Sequence, residues 1–195
     1  RPIKNAQTHN YLSITEYIAP YYSLIPPNSS YNVASVIVPI SDTETAFHFI
    51  AWGGSATPGT EEWRKFAHAR KGIDLDEKWR PLRTLDNWFK QDRQAMKAGN
   101  FTGIPGIPNQ DIAMWVSMGA ITDRSQDVLG ASDLAVVEFR RLMVDAARRV
   151  AEGGAAIGTT EPRIAQACIA SREGVYPKTT DWRTLVDHAA APAAE

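Results

Sequence analysis

Asp111 is the side chain in this 195-residue sequence best placed to do chemistry. It lies in the stretch Asn100 to Arg124, NFTGIPGIPNQDIAMWVSMGAITDR, among Ile112, Met114, Trp115, Val116 and Met118. A carboxylate on that much apolar and sulfur-bearing surface is costly to bury unless a positive group pairs with it. Two roles compete for it. One is an acid in a first helical turn, interacting with the helix dipole; the other is a metal ligand or general base. Asp92 stands in a second Gln-Asp pair, also shortly before Ala-Met. His48 and Trp52 are the remaining candidates, as walls of a substrate pocket, with an outer-face polar contact as the alternative for His48.

The elements that must hold Asp111 follow from its flanks. Gly103 to Pro108 is a turn in which prolines fix φ and glycines permit unusual backbone angles. Asn109 is then expected to cap a short helix, Gln110 to Met118, which Gly119 ends. Upstream, Leu85 to Ala98 is expected to be partly helical and to stop at Gly99. Downstream, Asp133 to Glu152 reads as a long helix capped by Ser132, with Phe139, Leu142, Met143 and Ala146 at helical spacing. Glu138, Arg141, Asp145, Arg148 and Arg149 are spaced for pairing along its solvated face.

The first third reads as antiparallel sheet. His9 to Tyr22, Tyr31 to Ile40 and Thr43 to Trp52 are rich in aromatic and β-branched residues, and turn formers separate them. In the third run Phe47, Phe49 and Ala51 share one face, and His48, Ile50 and Trp52 the other. Gly53 to Gly59 is a turn without the Lys-Ser/Thr ending of a phosphate loop. A short helix is expected from Thr60, as N-cap, to Arg70, and a loop over 73–84. From Ala155 the chain mixes Gly, Pro and Ala, and His188 to Glu195 is expected to be a frayed tail.

Composition narrows the function classes. With 44% apolar residues, 22% charged and a net charge of −1, the chain is of ordinary globular type, one domain in length. Nothing in the charge suggests nucleic acid or a membrane surface as partner, and no apolar run is long enough to span a bilayer. The single cysteine, Cys168, cannot form an internal disulfide and is expected to be a small buried apolar side chain; this usage fits a cytoplasmic protein. The sequence carries no His-Glu-x-x-His, no paired cysteines, no Gly-x-Ser-x-Gly and no dinucleotide fingerprint.

Several ordered segments together resemble one family. They are Asn87-Trp-Phe-Lys-Gln-Asp-Arg-Gln-Ala-Met96, Phe101-Thr-Gly-Ile-Pro-Gly-Ile107, Gln110-Asp-Ile-Ala-Met114, Ser117-Met-Gly119, Asp123-Arg124 and Leu129-Gly-Ala-Ser-Asp133. The pattern is similar to the C-terminal catalytic domain of Rieske non-haem iron oxygenases, in the branch of phthalate 4,5-dioxygenase-like oxygenase subunits. It covers residues 85–150 well and the flanks loosely. Trp115-Val116 departs from it, since the family carries a polar pair ahead of Ser-Met-Gly.

The resemblance implies an α+β helix-grip fold, a curved antiparallel sheet on a long C-terminal helix. It implies that Asp111 completes a 2-His-1-carboxylate site for Fe(II), with positions open to O₂. The histidines of this chain, His9, His48, His68 and His188, do not form the family's Asn-x-x-His-x4-His ligand pair. Nor does the chain contain the cysteine–histidine pairs of a [2Fe–2S] Rieske cluster. The expectation is therefore a C-terminal part of a longer subunit, with its Rieske domain upstream. Such a subunit would receive electrons from a reductase, work as a homotrimer or hexamer, and hydroxylate or O-demethylate an aromatic carboxylate. The competing expectation is a helix-grip binding module that holds an apolar or aromatic ligand without iron.

Overall fold

The computed structural model describes residues 3–26, 31–53, 55–160 and 169–185. The fold is α+β, with two antiparallel sheets and one long helix. It divides into two compact units. One gathers the described residues of Arg1–Val38, Ala46–Ala56 and Gln126–Glu195; the other holds Pro39–Thr45 and Thr57–Ser125. Cys168 and the expected tail over 188–195 lie outside the described residues.

In the first unit the expected strand from His9 to Tyr22 is broken into three. Strand β1, His9–Ile14, leaves the other strands and pairs antiparallel with β6, Arg172–Pro177, in the register His9 to Pro177 and Ile14 to Arg172. The Tyr11 hydroxyl donates to the Glu173 carboxylate across that pair. β2, Glu16–Ile18, instead turns back at Ala19-Pro20 to meet β3, Tyr22–Ile25, with Tyr17 opposite Ser23. Proline has no N–H for a ladder and fixes φ, so the strand cannot run through it. β6 escaped the sequence reading because its six residues, REGVYP, carry one glycine, one proline and two charges.

The larger sheet has the order β2-β3-β4-β5. β4, Asn32–Pro39, and β5, Thr45–Trp52, fall where the sequence places them. Ala34 and Val36 of β4 are buried and alternate with more exposed residues, as a half-covered strand requires. The β4–β5 connection closes where Ile40 and Ser41 donate their N–H groups to the Glu44 carbonyl.

The long helix is α4, Leu134–Ala151, preceded by a 3-10 turn over Ala131–Asp133. Ser132 does not cap it. It falls inside the 3-10 turn, and Asp133 is the N-cap, its carboxylate accepting from the Gly130 N–H. Leu142, Met143 and Ala146 are half-buried, and Phe139, on the same stripe, meets the Tyr17 ring edge-on at 5.1 Å between centroids. The Tyr17 hydroxyl also reaches Met143 Sδ at 3.5 Å and donates to the Pro20 carbonyl. These contacts seat the helix on the β2 edge of the sheet. Its far side carries the expected ion pairs, with Arg141 between Glu138 and Asp145, while Arg140 pairs with Asp127 at 2.8 Å.

In the second unit α1, Thr60–Phe66, begins after Gly59, so Thr60 is its first residue rather than its cap. A 3-10 segment, Leu85–Lys90, and a short helix α2, Arg93–Lys97, follow the loop over 73–84. α3, Ile107–Ser117, completes the unit. Phe89, Ile104 and Ala113 form its small buried cluster.

Tyr17 ties α4 to the sheet, so its variants should separate ring from hydroxyl. Tyr17→Phe, which loses the bond to Pro20, should cost about 1 kcal/mol. Tyr17→Ala also removes the contacts to Phe139 and Met143, and should cost about 2 kcal/mol after allowance for partial exposure. Urea unfolding of the two variants beside the parent measures both.

Candidate functional site

The turn before α3 is held by its own side chains. Asn100 Oδ1 accepts from the N–H groups of Thr102, at 3.2 Å, and Gly103, at 2.7 Å. The Thr102 hydroxyl accepts from Ile104 N–H, and Gln91 Nε2 donates to the Thr102 carbonyl at 2.7 Å. Gly103 has φ +67, and a β-carbon there would stand 2.5 Å from the Asp92 carbonyl oxygen. The two backbones touch because Asp92 donates its N–H to the Gly103 carbonyl at 2.8 Å. Only glycine fits so close an approach at that φ.

Gly106, not Asn109, is the N-cap of α3, and the helix starts at Ile107 with Pro108 in its first turn. Proline is suited there, because its missing N–H would have no intrahelical partner. Asn109 lies inside the helix and donates from Nδ2 to the Pro105 carbonyl at 2.9 Å. Gln110 donates its side-chain amide to the Ile104 carbonyl at 2.8 Å. The Gln of the Gln-Asp pair thus ties the helix back to the turn, a structural duty that spacing alone does not reveal.

The earlier helix start puts Asp111 in the second turn and on the open face. Ile107, Asp111, Met114, Trp115 and Met118 share one stripe at helical spacing, and all are exposed: Ile107 is 64% exposed, Met114 66% and Met118 46%. Ala113, on the opposite side, is buried, as is Pro108 in the first turn. Among the described residues the Asp111 carboxylate makes no hydrogen bond or ion pair. The expected penalty for burying it is absent, because in this chain it is not buried. Its oxygens remain open to a ligand at the centre of an apolar strip.

Asp92 has the opposite character. It is the N-cap of α2, and its Oδ1 accepts from the N–H groups of Gln94 at 2.8 Å and Ala95 at 2.9 Å. The two Gln-Asp pairs therefore divide their roles: the first caps a helix and the second presents a free carboxylate.

One further group stands at the start of α3. His68, just past α1, has φ +51 and lies against Gly106. Its Nδ1 is 3.8 Å from Asp74, whose side chain is 9% exposed and accepts from the Arg70 N–H and Nε at 3.1 and 2.9 Å. Burial pushes the Asp74 carboxyl up, but the Arg70 hydrogen bonds and charge outweigh it and hold the group below the usual carboxylate range. Glu62, Lys65, Phe66, His68, Gly106 and Ile107 line a shallow cleft here.

His48 and Trp52 belong to the other unit. They lie with Ile50 on the exposed face of β5, while Phe47, Phe49 and Ala51 are half-buried. The structure does not gather either with Asp111 in one unit. Among the described residues no three His, Cys, Asp or Glu side chains come together as a metal site, and no helix is long and apolar enough to cross a membrane.

The sequence matches a family described as LigXa C-terminal domain like over residues 1–194. It is 58% identical over 184 residues to the phthalate 4,5-dioxygenase oxygenase subunit of Pseudomonas putida, covering 94% of this chain and 42% of that protein. It is 32% identical over 200 residues to the 3-chlorobenzoate-3,4-dioxygenase oxygenase subunit of Comamonas testosteroni, covering 93% of this chain and 45% of the relative. The chain therefore spans under half the length of these two curated relatives.

The two aspartates should differ in what they give to stability. Asp92→Ala should cost about 1 kcal/mol, the usual loss of an N-cap acceptor. Asp111→Ala, removing an exposed carboxylate without a partner, should change stability by less than about 0.5 kcal/mol. Chemical denaturation of each variant checks the difference. Asp74 adds a pH dependence. Its folded pKa lies below the unfolded one, so its stabilisation is complete above the unfolded value and is lost as pH falls through the folded one. The stability gap between the parent and Asp74→Asn should be constant at neutral pH and shrink below about pH 4.

Proposed function

The chain belongs to the LigXa C-terminal domain-like family, and on that premise we propose that it is the C-terminal catalytic part of a Rieske-type oxygenase subunit. The subunit would use O₂ and a mononuclear non-haem iron to hydroxylate or O-demethylate an aromatic carboxylate such as phthalate. The relatives' names support the reaction class. The observation that carries the assignment is Asp111, a carboxylate without a partner among the described residues, at the middle of an exposed apolar stripe on a helix whose start is locked.

The donor chemistry fits one third of a facial triad. Asp111 offers an unengaged hard oxygen, and two histidines from the rest of the subunit would complete the set. Bound there, the iron would supply O₂ activation; the chain's own residues supply its setting. Ile107, Met114, Trp115 and Met118 surround the carboxylate with apolar surface, which sheds water once a second segment closes over it. The buried Ala113 holds the opposite side of α3 against Phe89 and Ile104, so the carboxylate is carried on an anchored helix. His48 and Trp52 remain proposed substrate contacts, which in this reading gain cover only in the complete protein. The [2Fe–2S] cluster, its reductase, a trimeric or hexameric assembly and a cytoplasmic location belong to the same proposal.

The deciding experiment uses the complete subunit. Asp111→Ala should empty the mononuclear site and lower product formation by at least about 100-fold, while the visible spectrum of the [2Fe–2S] cluster stays. Asp92→Ala should keep iron and turnover. Full iron content in the Asp111 variant would assign the ligand role to another residue, whereas a complete parent subunit that holds no mononuclear iron would favour a ligand-binding module without a metal.

A further inference from the structure

We propose that His68 is a positioning residue for Asp111, a strut that sets where α3 begins; the proposal rests on Asp111 being the iron ligand. The first observation is the backbone. α1 ends with Ala67 as C-cap, and His68 follows at φ +51, with Ala69 N–H returning to the Arg64 carbonyl at 2.9 Å. That place after a helix is usually taken by glycine, sometimes by asparagine, because a β-carbon is strained there. A histidine kept in the left-handed region points to a use for its ring.

The second observation is what the ring touches. A β-carbon on Gly106 would stand 2.1 Å from His68 Cδ2 and 2.9 Å from Cγ and Nε2, so the imidazole rests directly on the Gly106 backbone. Its other edge turns Nδ1 toward Asp74, which the Arg70 N–H and guanidinium hold in place. Gly106 is the N-cap of α3, and its carbonyl accepts the Gln110 N–H at 3.2 Å. From imidazole to Asp111 there is then one helical turn: ring, Gly106, Gln110, Asp111. The first link is a contact, the second a hydrogen bond and the third the chain itself. A ring that withdrew would free the first turn of α3 to shift, and the carboxylate with it.

A helix-ending residue with no further duty makes an opposite prediction, and two substitutions in the complete subunit separate the cases. His68→Phe keeps a flat ring against Gly106 and loses only the Asp74 contact. His68→Asn suits the left-handed backbone and removes the ring. Positioning requires the Phe variant to keep most of its mononuclear iron and the Asn variant to lose about tenfold in iron affinity, with the [2Fe–2S] spectrum unchanged in both. Gly106→Ala, which drives a β-carbon into the ring, should lose iron as the Asn variant does. The Asn and Ala substitutions combined should lose little more than either alone. A simple helix end predicts the reverse order, with Asn the more stable variant and fully loaded with iron; that result would overturn the proposal. Asp111→Ala measured alongside keeps the two claims apart. If it retains iron, the ligand assignment fails. If it empties while His68→Asn stays loaded, only the role of His68 fails.

Discussion

Two close approaches of backbone to neighbour govern the region around Asp111. At Gly103 the chain passes so near the Asp92 carbonyl that a β-carbon has no room, and at Gly106 it lies flat against the His68 ring. Both glycines have positive φ, so neither the space nor the backbone angle tolerates another residue easily. Between them, Ile104 packs with Phe89 and Ala113, and its carbonyl accepts Gln110. The turn is pinned at both ends and at its middle. α3 has little freedom in where it starts, and a carboxylate one turn in is carried at a defined place.

Apolar surface is left open in each of the two units. An apolar stripe on α3 is open, and on α4 Leu134, Val137 and Val144 are exposed on the side away from the half-buried Leu142, Met143 and Ala146. Among the described residues no side chain is fully buried, and each unit has only a few buried apolar residues. Contiguous exposed apolar surface marks places where something else packs. The curated relatives are more than twice the length of the segment they share with this chain. The physical consequence is local: an unpaired carboxylate is inexpensive while it faces water, and becomes a strong ligand once apolar cover displaces that water.

In the role proposed for them, His68 and Asp74 act on a site from a second segment without belonging to it. They lie at the end of α1 and in the loop that follows, and the His68 ring meets the start of α3 at Gly106. The Arg70–Asp74 pair is more shielded than most ion pairs on this chain, such as Arg141 with Glu138, which is largely solvated and worth little.

The sequence by itself determined a good deal. β4, β5 and α4 were legible because alternation and a 3.6-residue stripe are local signals. The role proposed for Asp111 rests on its place in an ordered multi-part pattern, and both glycines of its turn could be seen to permit special angles. Other features were settled by partners distant in sequence or by competition between neighbours. His9–Ile14 left its expected strand because Arg172–Pro177, more than 150 residues later, pairs with it. The start of α3 moved from Asn109 to Gly106 because Pro108 suits a first turn and the Asn109 amide is engaged by Pro105. That shift of three residues took Asp111 out of the first turn, and the packing of Ala113 on Phe89 and Ile104 leaves it on the open face. The difference between Asp92 and Asp111 was likewise tertiary, since two Gln-Asp pairs look alike until one is seen accepting two backbone N–H groups and the other none. No pattern in the sequence joins His68 to Gly106, 38 positions apart; only the fold brings the ring and the glycine into contact.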